Sequence, residues 1–236
     1  MILFFIPSFN DHELISDLVE TLLTSHTQAR ALVVDDGSSI PIVLSLDSSL
    51  RDRAALYRLE TNSGLGVATS IAIDYFLQSS FKVLVRVDAD GQHPVSEISK
   101  LCQPVLQELT DIVWAERLSD EQGFAGSFGR WRERAKGLTC WLAQTAMGCS
   151  HTDWFSGFFA MSRRAADGFQ ADYLERYCEV QMLCLAYARR MRIETVTVHQ
   201  IDRVHGESTI KLFGGLMVVL RAWLLILVHA SARERL

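Results

Sequence analysis

The sequence predicts an α/β fold built on a mostly parallel central sheet with helices on both faces. Two observations carry this expectation. Short apolar runs at 2–6, 31–34, 83–87 and 112–114 alternate with segments of helical periodicity, the pattern of strands buried on both faces and joined by crossover helices. The first three runs also end in loops rich in Asp, Asn, Ser, Gly or Pro, and such loops lie where open parallel sheets bind ligands.

Each element follows in order. Ile2 to Ile6 is a first strand ended by Pro7-Ser8-Phe9-Asn10-Asp11, and His12 to Leu23 places Leu14, Ile15, Leu18, Val19 and Leu22 at helical spacing. Ala31 to Val34 is a second strand, closed by the turn Asp35-Asp36-Gly37-Ser38-Ser39, and Tyr57 to Leu59 a short third. The Gly-rich turn Asn62-Ser63-Gly64-Leu65-Gly66 feeds a buried helix over 67–78. Val83 to Val87 is the central strand, with a helix over 95–109 and a strand at 112–114 behind it. The later half is less regular: a Gly- and Ser-rich loop at 119–129, a basic helix from 130 to about 147, a loop entering a strand at 153–161, a helix over 177–190 and a strand over 193–198.

Composition narrows the function classes. A chain of 236 residues, 49% hydrophobic and 22% charged, suits one globular core. A net charge of -5 gives no basic footprint for nucleic acid. Five cysteines, odd in number and without a C-x-x-C pair, imply neither a disulfide framework nor a zinc site, so a reducing cytoplasm is expected. Met1 to Pro7 lacks the basic start and small-residue cleavage site of a leader and reads as the first strand.

Chemistry concentrates at Val87-Asp88-Ala89-Asp90-Gly91-Gln92-His93-Pro94. In an extended chain Asp88, Asp90 and Gln92 alternate onto one side. Two carboxylates of this kind hold Mg2+ or Mn2+ through a few oxygen contacts and leave room for phosphate and water. Alone, the same pattern is also a solvated acidic turn.

The company it keeps sharpens the reading. Val33-Val34-Asp35-Asp36-Gly37-Ser38-Ser39, Asn62-Ser63-Gly64-Leu65-Gly66-Val67-Ala68 and the segment from Val87 to Pro94 resemble inverting family-2 glycosyltransferases. The wording of the third is especially similar to the branch containing dolichyl-phosphate mannose synthase and bacterial polyprenyl-phosphate sugar synthases. Thr152 to Phe159 and Arg203-Val204-His205-Gly206-Glu207-Ser208-Thr209 extend the likeness in order to about residue 211. The resemblance implies a GT-A, Rossmann-like fold, a nucleotide-diphosphate sugar donor (GDP-, UDP- or dTDP-linked) and Mn2+ or Mg2+. It puts Pro7, Asn10 and Asp35 around base and ribose, Asp36 near ribose or phosphates, and Asn62 and Gly66 at the donor pocket. Asp88 and Ala89 then adjoin the nucleotide, with Asp88, Asp90 and Gln92 at the metal. As structural alternatives, Asp35 and Asp36 cap a turn and Asn62 and its glycines serve turn chemistry.

Asp153 and Glu179 stand in family-like positions for a base or an acceptor-orienting carboxylate, with capping or ion pairing as the alternative. Arg203 resembles the arginine of a late Arg-x-x-Gly-Glu-Ser motif and is expected to clamp phosphates, with His205 beside it as a structural residue or further donor. Arg117, Arg130, Arg132, Arg134 and Lys136 form a basic cluster, read as a solvated face or an anion patch. The sequence departs from the family at Ser39-Ile40-Pro41-Ile42, where a second acid and a threonine are usual, and at Phe9-Asn10-Asp11, where Tyr-Asn-Glu is common.

The tail from Leu212 to Ala230 is apolar with Arg221 at its centre. A central arginine costs about 2.5 to 3.5 kcal/mol on insertion scales, so a helix lying in a membrane interface is favoured over a span, with a buried or dimer helix as the alternative.

These readings divide the chain into a transferase domain at 1–211, with a nucleotide-sugar half at 1–115 and an acceptor half at 116–211, and a C-terminal apolar helix at 212–236. The expected activity is metal-dependent, inverting transfer of a sugar to a polyprenyl phosphate at the cytoplasmic face of a membrane. A saccharide hydroxyl acceptor in O-antigen or capsule synthesis, and a non-catalytic nucleotide-sugar-binding protein, are the alternatives; self-association is left open.

Overall fold

Alternate residues of the first strand enter opposite cores. The structure is a computed structural model that describes residues 1–11, 14–117, 127–149, 151–199 and 212–233, with backbone alone for 117, 127–133, 212–216, 232 and 233. In β1 (Ile2–Ser8), Leu3 and Phe5 join one hydrophobic cluster while Phe4 and Ile6 join the other, as the two-residue period of a strand dictates. The strands β2 (Arg30–Asp35), β3 (Ala54–Arg58), β4 (Val83–Arg86), β5 (Ile112–Arg117), β6 (Phe159–Ser162) and β7 (Ile193–Val198) complete a 7-stranded sheet in the order β3-β2-β1-β4-β6-β5-β7. Only β6 runs antiparallel, to both β4 and β5. The expected mostly parallel sheet is thus observed.

Helices close both faces. Against Phe4, Val33, Val85 and Val113 pack α1 (Ile15–Ser25), through Ile15, Val19, Leu22 and Leu23, and α4 (Ile98–Leu106), through Ile98, Leu101, Cys102 and Val105. On the other face lie α3 (Leu65–Leu77) and α7 (Glu179–Ala188), whose Ala68, Ala72, Phe76, Met182 and Leu183 meet Leu3, Phe5, Leu84 and Trp114. Each fully buried side chain of this size contributes about 1.5 to 3 kcal/mol.

Two short helices escape the sequence pattern: α2 (Ser48–Arg51) and α6 (Arg163–Gln170). The third strand starts earlier than expected, at Ala54. The helix foreseen over 95–109 is a 3-10 turn at Val95–Glu97 followed by α4, which ends at Leu106 two residues after Pro104, a residue with no N–H to give the ladder.

Beyond α5 (Ser127–Met147), the long α8 (Leu212–Arg233) packs on α5 and α7. Trp223 Nε1 donates to Thr139 Oγ1 of α5 at 2.9 Å. Ala222 and Ile226 are buried, whereas Met217, Leu220, Leu224, Leu227 and Val228 are exposed on the opposite side. Among the described residues no helix is long and apolar enough to cross a membrane.

Candidate active site

The chain runs from β1 outward through β2 to β3, then crosses back to β4 on the other side of β1. Loops leaving β1 and β4 therefore diverge at their carboxyl ends, which is the switch point where α/β sheets open a ligand crevice.

Three loops on the β1–β2 side of that crevice are lashed together. Asn10 has a φ of 62°, a left-handed conformation Asn tolerates; its N–H donates to Ser38 Oγ, and its Oδ1 accepts from Ser39 N, both at 2.9 Å. Gly37, at φ 73°, presses against the next loop so closely that a Cβ would stand 2.5 Å from the Thr61 carbonyl carbon. Asp36 spans the remaining gap, accepting from Ser63 N at 2.7 Å and Gly64 N at 2.8 Å. Asp35 is fully buried and accepts from Ser38 N, Ile42 N and Arg58. Burial alone would raise its pKa, but these hydrogen bonds outweigh it and hold the carboxyl below its ordinary value. Both carboxylates thus brace the turn, the structural role weighed for them. Pro7 is half-buried at the end of β1, and the Ser8 hydroxyl beside it is buried with no hydrogen-bond partner among the described residues.

Asn62 and Gly66 meet the segment leading into α7. Asn62 Oδ1 accepts from Arg176, and a Cβ on Gly66 would stand 2.2 Å from the carbonyl oxygens of Leu174 and Glu175. The glycine is required by backbone approach.

At the acidic motif the extended alternation expected for Asp88, Asp90 and Gln92 does not hold. Strand β4 ends at Arg86, the chain turns at Ala89 and Asp90, and Gly91 takes φ 75°. Asp90 Oδ1 accepts from Gln92 N at 3.1 Å, an Asx-type closure of the turn. Ala89 is buried in the core on the α4 side of the sheet. Asp88, with its side chain 29% exposed, accepts from Arg86 Nε at 2.9 Å on Oδ1. Its N–H donates to His93 Nδ1 at 3.0 Å, which puts the proton of a neutral ring on Nε2, 3.8 Å from Asp88 Oδ2. Phe158 stacks on that ring at 4.5 Å.

Arg86, which the sequence reading passed over, is the organising residue. Its side chain is 5% exposed and its Nη1 donates to Glu179 Oε1 at 2.9 Å, so one guanidinium holds both Asp88 and Glu179. Burial would lower its pKa, but the two carboxylates raise it and keep it charged. A cation within the apolar run 83–87, two residues before Asp88, is the signal that was available. Glu179, in the first turn of α7, also lines a cleft of about 90 Å³ with Phe155, Glu175, Tyr177, Arg221 and Leu225. The neighbouring Cys178 thiol is pushed up to about 12 by burial and Glu179, which makes it a poor nucleophile.

Asp153 sits apart from Arg86. It is fully buried, faces Lys136 Nζ at 3.8 Å and accepts from Phe155 N at 3.2 Å. Lys136 therefore pairs inward; Arg134 is exposed, and the side chains of Arg117, Arg130 and Arg132 are outside the described set. Arg203 and His205 lie outside the described residues.

The donor chemistry fits a hard divalent cation. Asp88 and Asp90 carry oxygen donors of the type such a cation takes, and a Cβ on Gly157 would stand 2.6 Å from Asp88 Oδ2. Among the described residues no three acidic, histidine or cysteine side chains form a metal site; Mg2+ commonly takes one or two carboxylates together with phosphate and water.

Comparison with known proteins bears on the family and the fold. The model of "Glycosyl transferase family 2" matches residues 4–168. An undecaprenyl-phosphate mannosyltransferase from Micrococcus luteus is 25% identical over 225 residues, 92% of this chain and 89% of that protein. A polyprenol monophosphomannose synthase from Mycolicibacterium smegmatis is 33% identical over 103 residues, 42% of this chain and 39% of that one. The chain spans 55%, 39% and 58% of the length of three of the curated relatives it matches. Among solved structures, glucosyl-3-phosphoglycerate synthase from Mycobacterium tuberculosis, crystallised with Mn2+, UDP-glucose and phosphoglyceric acid, gives a TM-score of 0.70 at 18% identity, covering 98% of this chain and 80% of that one. That likeness is one of fold, the GT-A arrangement expected from the sequence. From the matched residues and the sheet that carries them, the chain belongs to glycosyl transferase family 2.

Proposed function

We propose that the protein transfers a sugar from a nucleotide-diphosphate donor to a polyprenyl phosphate, with Mn2+ or Mg2+, at the cytoplasmic face of a membrane. The observation that carries this reading is the junction of two unlike surfaces at Glu179. On one side stands the Asp88 carboxylate; on the other opens a cleft walled by Phe155, Val180, Val218, Ala222 and Leu225 with Arg221 among them. At 100° per residue Arg221 falls between the exposed apolar stripe of α8 and its cleft-facing residues, a suitable place to meet a phosphate whose lipid lies in a membrane. Relatives named for undecaprenyl-phosphate and polyprenol substrates support the same acceptor class.

In this reading Asp88 and Asp90 hold the cation, with Gln92 closing the turn that presents them. The bound cation would neutralise charge on the leaving diphosphate. The loops fastened by Asn10, Asp35, Asp36 and Asn62 form a rigid floor for the nucleotide, so little ordering is left to be done on binding. A phosphate acceptor is anionic at neutral pH and needs no proton removed, which leaves Arg221 and Arg203 to orient it and Glu179 to shape its site. Inversion follows if the acceptor attacks from the face opposite the diphosphate.

A second reading is favoured by Glu175 and Glu179, two carboxylates lining one cleft. They suit a hydroxyl acceptor, which requires a base.

Incubation of the protein with Mn2+, GDP-, UDP- and dTDP-linked sugars and undecaprenyl phosphate, read by mass spectrometry of the lipid, tests the proposal. A glycosylated lipid phosphate is expected with one donor class, and Asp90→Asn is expected to lower its formation by at least about 100-fold, the scale of losing electrostatic stabilisation. Wild-type turnover in that variant, or transfer to saccharides alone, overturns it.

A further inference from the structure

Arg86 Nε–H is directed at Asp88 Oδ1 and Nη1–H at Glu179 Oε1, each at 2.9 Å. The third nitrogen, Nη2, lies against Gly157, where a Cβ would stand 2.5 Å from it. The guanidinium is thus fixed on three sides in a site where its side chain is 5% exposed. Asp88 leaves from the end of β4 on the donor side of the crevice, and Glu179 opens α7 and lines the cleft. Arg86 and Glu179 stand 93 residues apart in sequence, and the two carboxylates share one buried cation.

We propose that Arg86 is a positioning residue that couples cation binding at Asp88 to the state of Glu179 in the acceptor cleft. The coupling follows from charge sharing. A buried guanidinium divided between two carboxylates neutralises each only in part, and in a low-dielectric site that division changes when either partner changes. Neutralising Glu179 directs the whole of the Arg86 charge onto Asp88 and lowers the negative potential that Asp88 offers a divalent cation. An acceptor group that draws Glu179 away from Arg86 has the same effect, and by linkage a cation engaging Asp88 strengthens the hold of Arg86 on Glu179. The guanidinium suits this because its planar fork reaches two acceptors at once; an ammonium is a point charge.

The inference rests on the proposed cation at Asp88, and the test separates the two. Mn2+ is titrated, with and without saturating UDP or GDP, into the wild-type protein, Glu179→Gln, Arg86→Met and the double variant, and free Mn2+ is read by electron paramagnetic resonance. Circular dichroism melting verifies that each variant is folded. Glu179→Gln is expected to weaken Mn2+ binding by about fivefold, the lower range of coupling between sites, although Glu179 is not a cation ligand. In the Arg86→Met background the same substitution is expected to change the affinity by less than about half that factor, since the shared cation is gone. Where Arg86→Met does not fold, Arg86→Gln, which is also uncharged, takes its place, with the same loss of coupling expected. An equal effect of Glu179→Gln in both backgrounds means direct charge through space and overturns the inference alone, as does no effect in either. A wild-type protein that binds no Mn2+ under any of these conditions overturns the functional reading and the inference together.

Discussion

At the scale of single residues, the site depends on atoms that are missing as much as on those present. Gly157 has ordinary space for no side chain: a Cβ would stand 2.5 Å from Arg86 Nη2 and 2.6 Å from Asp88 Oδ2. Gly157→Ala is therefore expected to displace the Arg86–Asp88 pair, lowering sugar transfer by at least about tenfold and stability by about 1 to 3 kcal/mol, the range for overpacking a filled site; kinetic assays with a urea melt check both, and wild-type behaviour in both refutes the close packing. A different carboxylate contributes to stability in acid. Glu116 accepts from Thr152 N at 2.7 Å and Thr152 Oγ1 at 2.6 Å, with His151 Nδ1 farther off at 3.5 Å. Burial raises its pKa, but the His151 and Thr152 interactions outweigh burial and bring it from 4.5 to about 2, with the short Thr152 bonds carrying more of that than the long His151 contact. A depressed carboxylate contributes stability that is complete above its unfolded pKa and lost as pH falls toward its folded one. The melting-temperature advantage of the wild type over Glu116→Gln is thus expected to be full above about pH 5 and to vanish by about pH 2; an advantage independent of pH contradicts the assignment. Residue by residue, the sequence showed Asp88, Asp90 and Glu179 as chemical candidates because acids at strand and helix ends are conspicuous. It offered a turn role for Asp35 and Asp36 only as an alternative, and it did not show that Asp36 accepts from Ser63 N and Gly64 N, since those donors arrive from a loop 27 and 28 residues away.

At the scale of elements, legibility followed length. Runs such as 2–6 and 83–87 were readable because both faces are buried and the whole segment is apolar. The 4-residue α2 and the 8-residue α6 were not, because one or two turns carry too little periodicity to stand out. The extended reading of 87–92 failed for a related reason: alternation of Asp88, Asp90 and Gln92 is compatible with a strand, but Gly91 permits a turn and Asp90 closes it. Helix α6 nonetheless has a structural task. Its first residue, Arg163, donates through Nη1 to the carbonyls of Phe76, Ser79 and Phe81, and through Nη2 to Leu77 at 2.6 Å, satisfying the otherwise open end of α3. Arg163→Ala is expected to destabilise the protein by about 2 to 3 kcal/mol, the worth of hydrogen bonds to a charged group at a buried terminus. Arg163→Lys should recover less than half, because an ammonium does not span four carbonyls. Equilibrium urea unfolding measures both, and a lysine variant as stable as wild type removes the fork from the explanation.

For the whole molecule, the unequal treatment of the two sides of α8 is the feature that ties fold to setting. Ala222 and Ile226 are buried against the core cluster that also holds Leu183 and Trp154, while Leu224 is 63% exposed and Leu227 51%. The neighbouring α5 adds exposed Leu138 and, at 60%, Trp141. Several large exposed apolar side chains on two packed helices exceed the scattered exposure normal for a soluble surface, and Arg221 stands between the α8 stripe and the cleft beside Glu179. An interfacial helix fits these facts: its apolar side enters the acyl boundary and its arginine stays among headgroups. Each leucine buried in that way is worth about 1.5 to 3 kcal/mol, so replacing two of them by charges outweighs a weak surface attachment. The double variant Leu224→Glu, Leu227→Glu is expected to lose flotation with vesicles containing undecaprenyl phosphate while its melting temperature stays within about 2 °C of wild type, because side chains already half in water contribute little to the core. Transfer to a short-chain, water-soluble polyprenyl phosphate should persist in the variant, since the Arg86, Asp88 and Glu179 assembly is untouched. A wild-type protein that stays at the bottom of the gradient, or a variant that floats as well as wild type, rules out this stripe as the attachment surface. Sedimentation of the wild type as a dimer that the two glutamates dissociate assigns the stripe to a second copy of the chain instead.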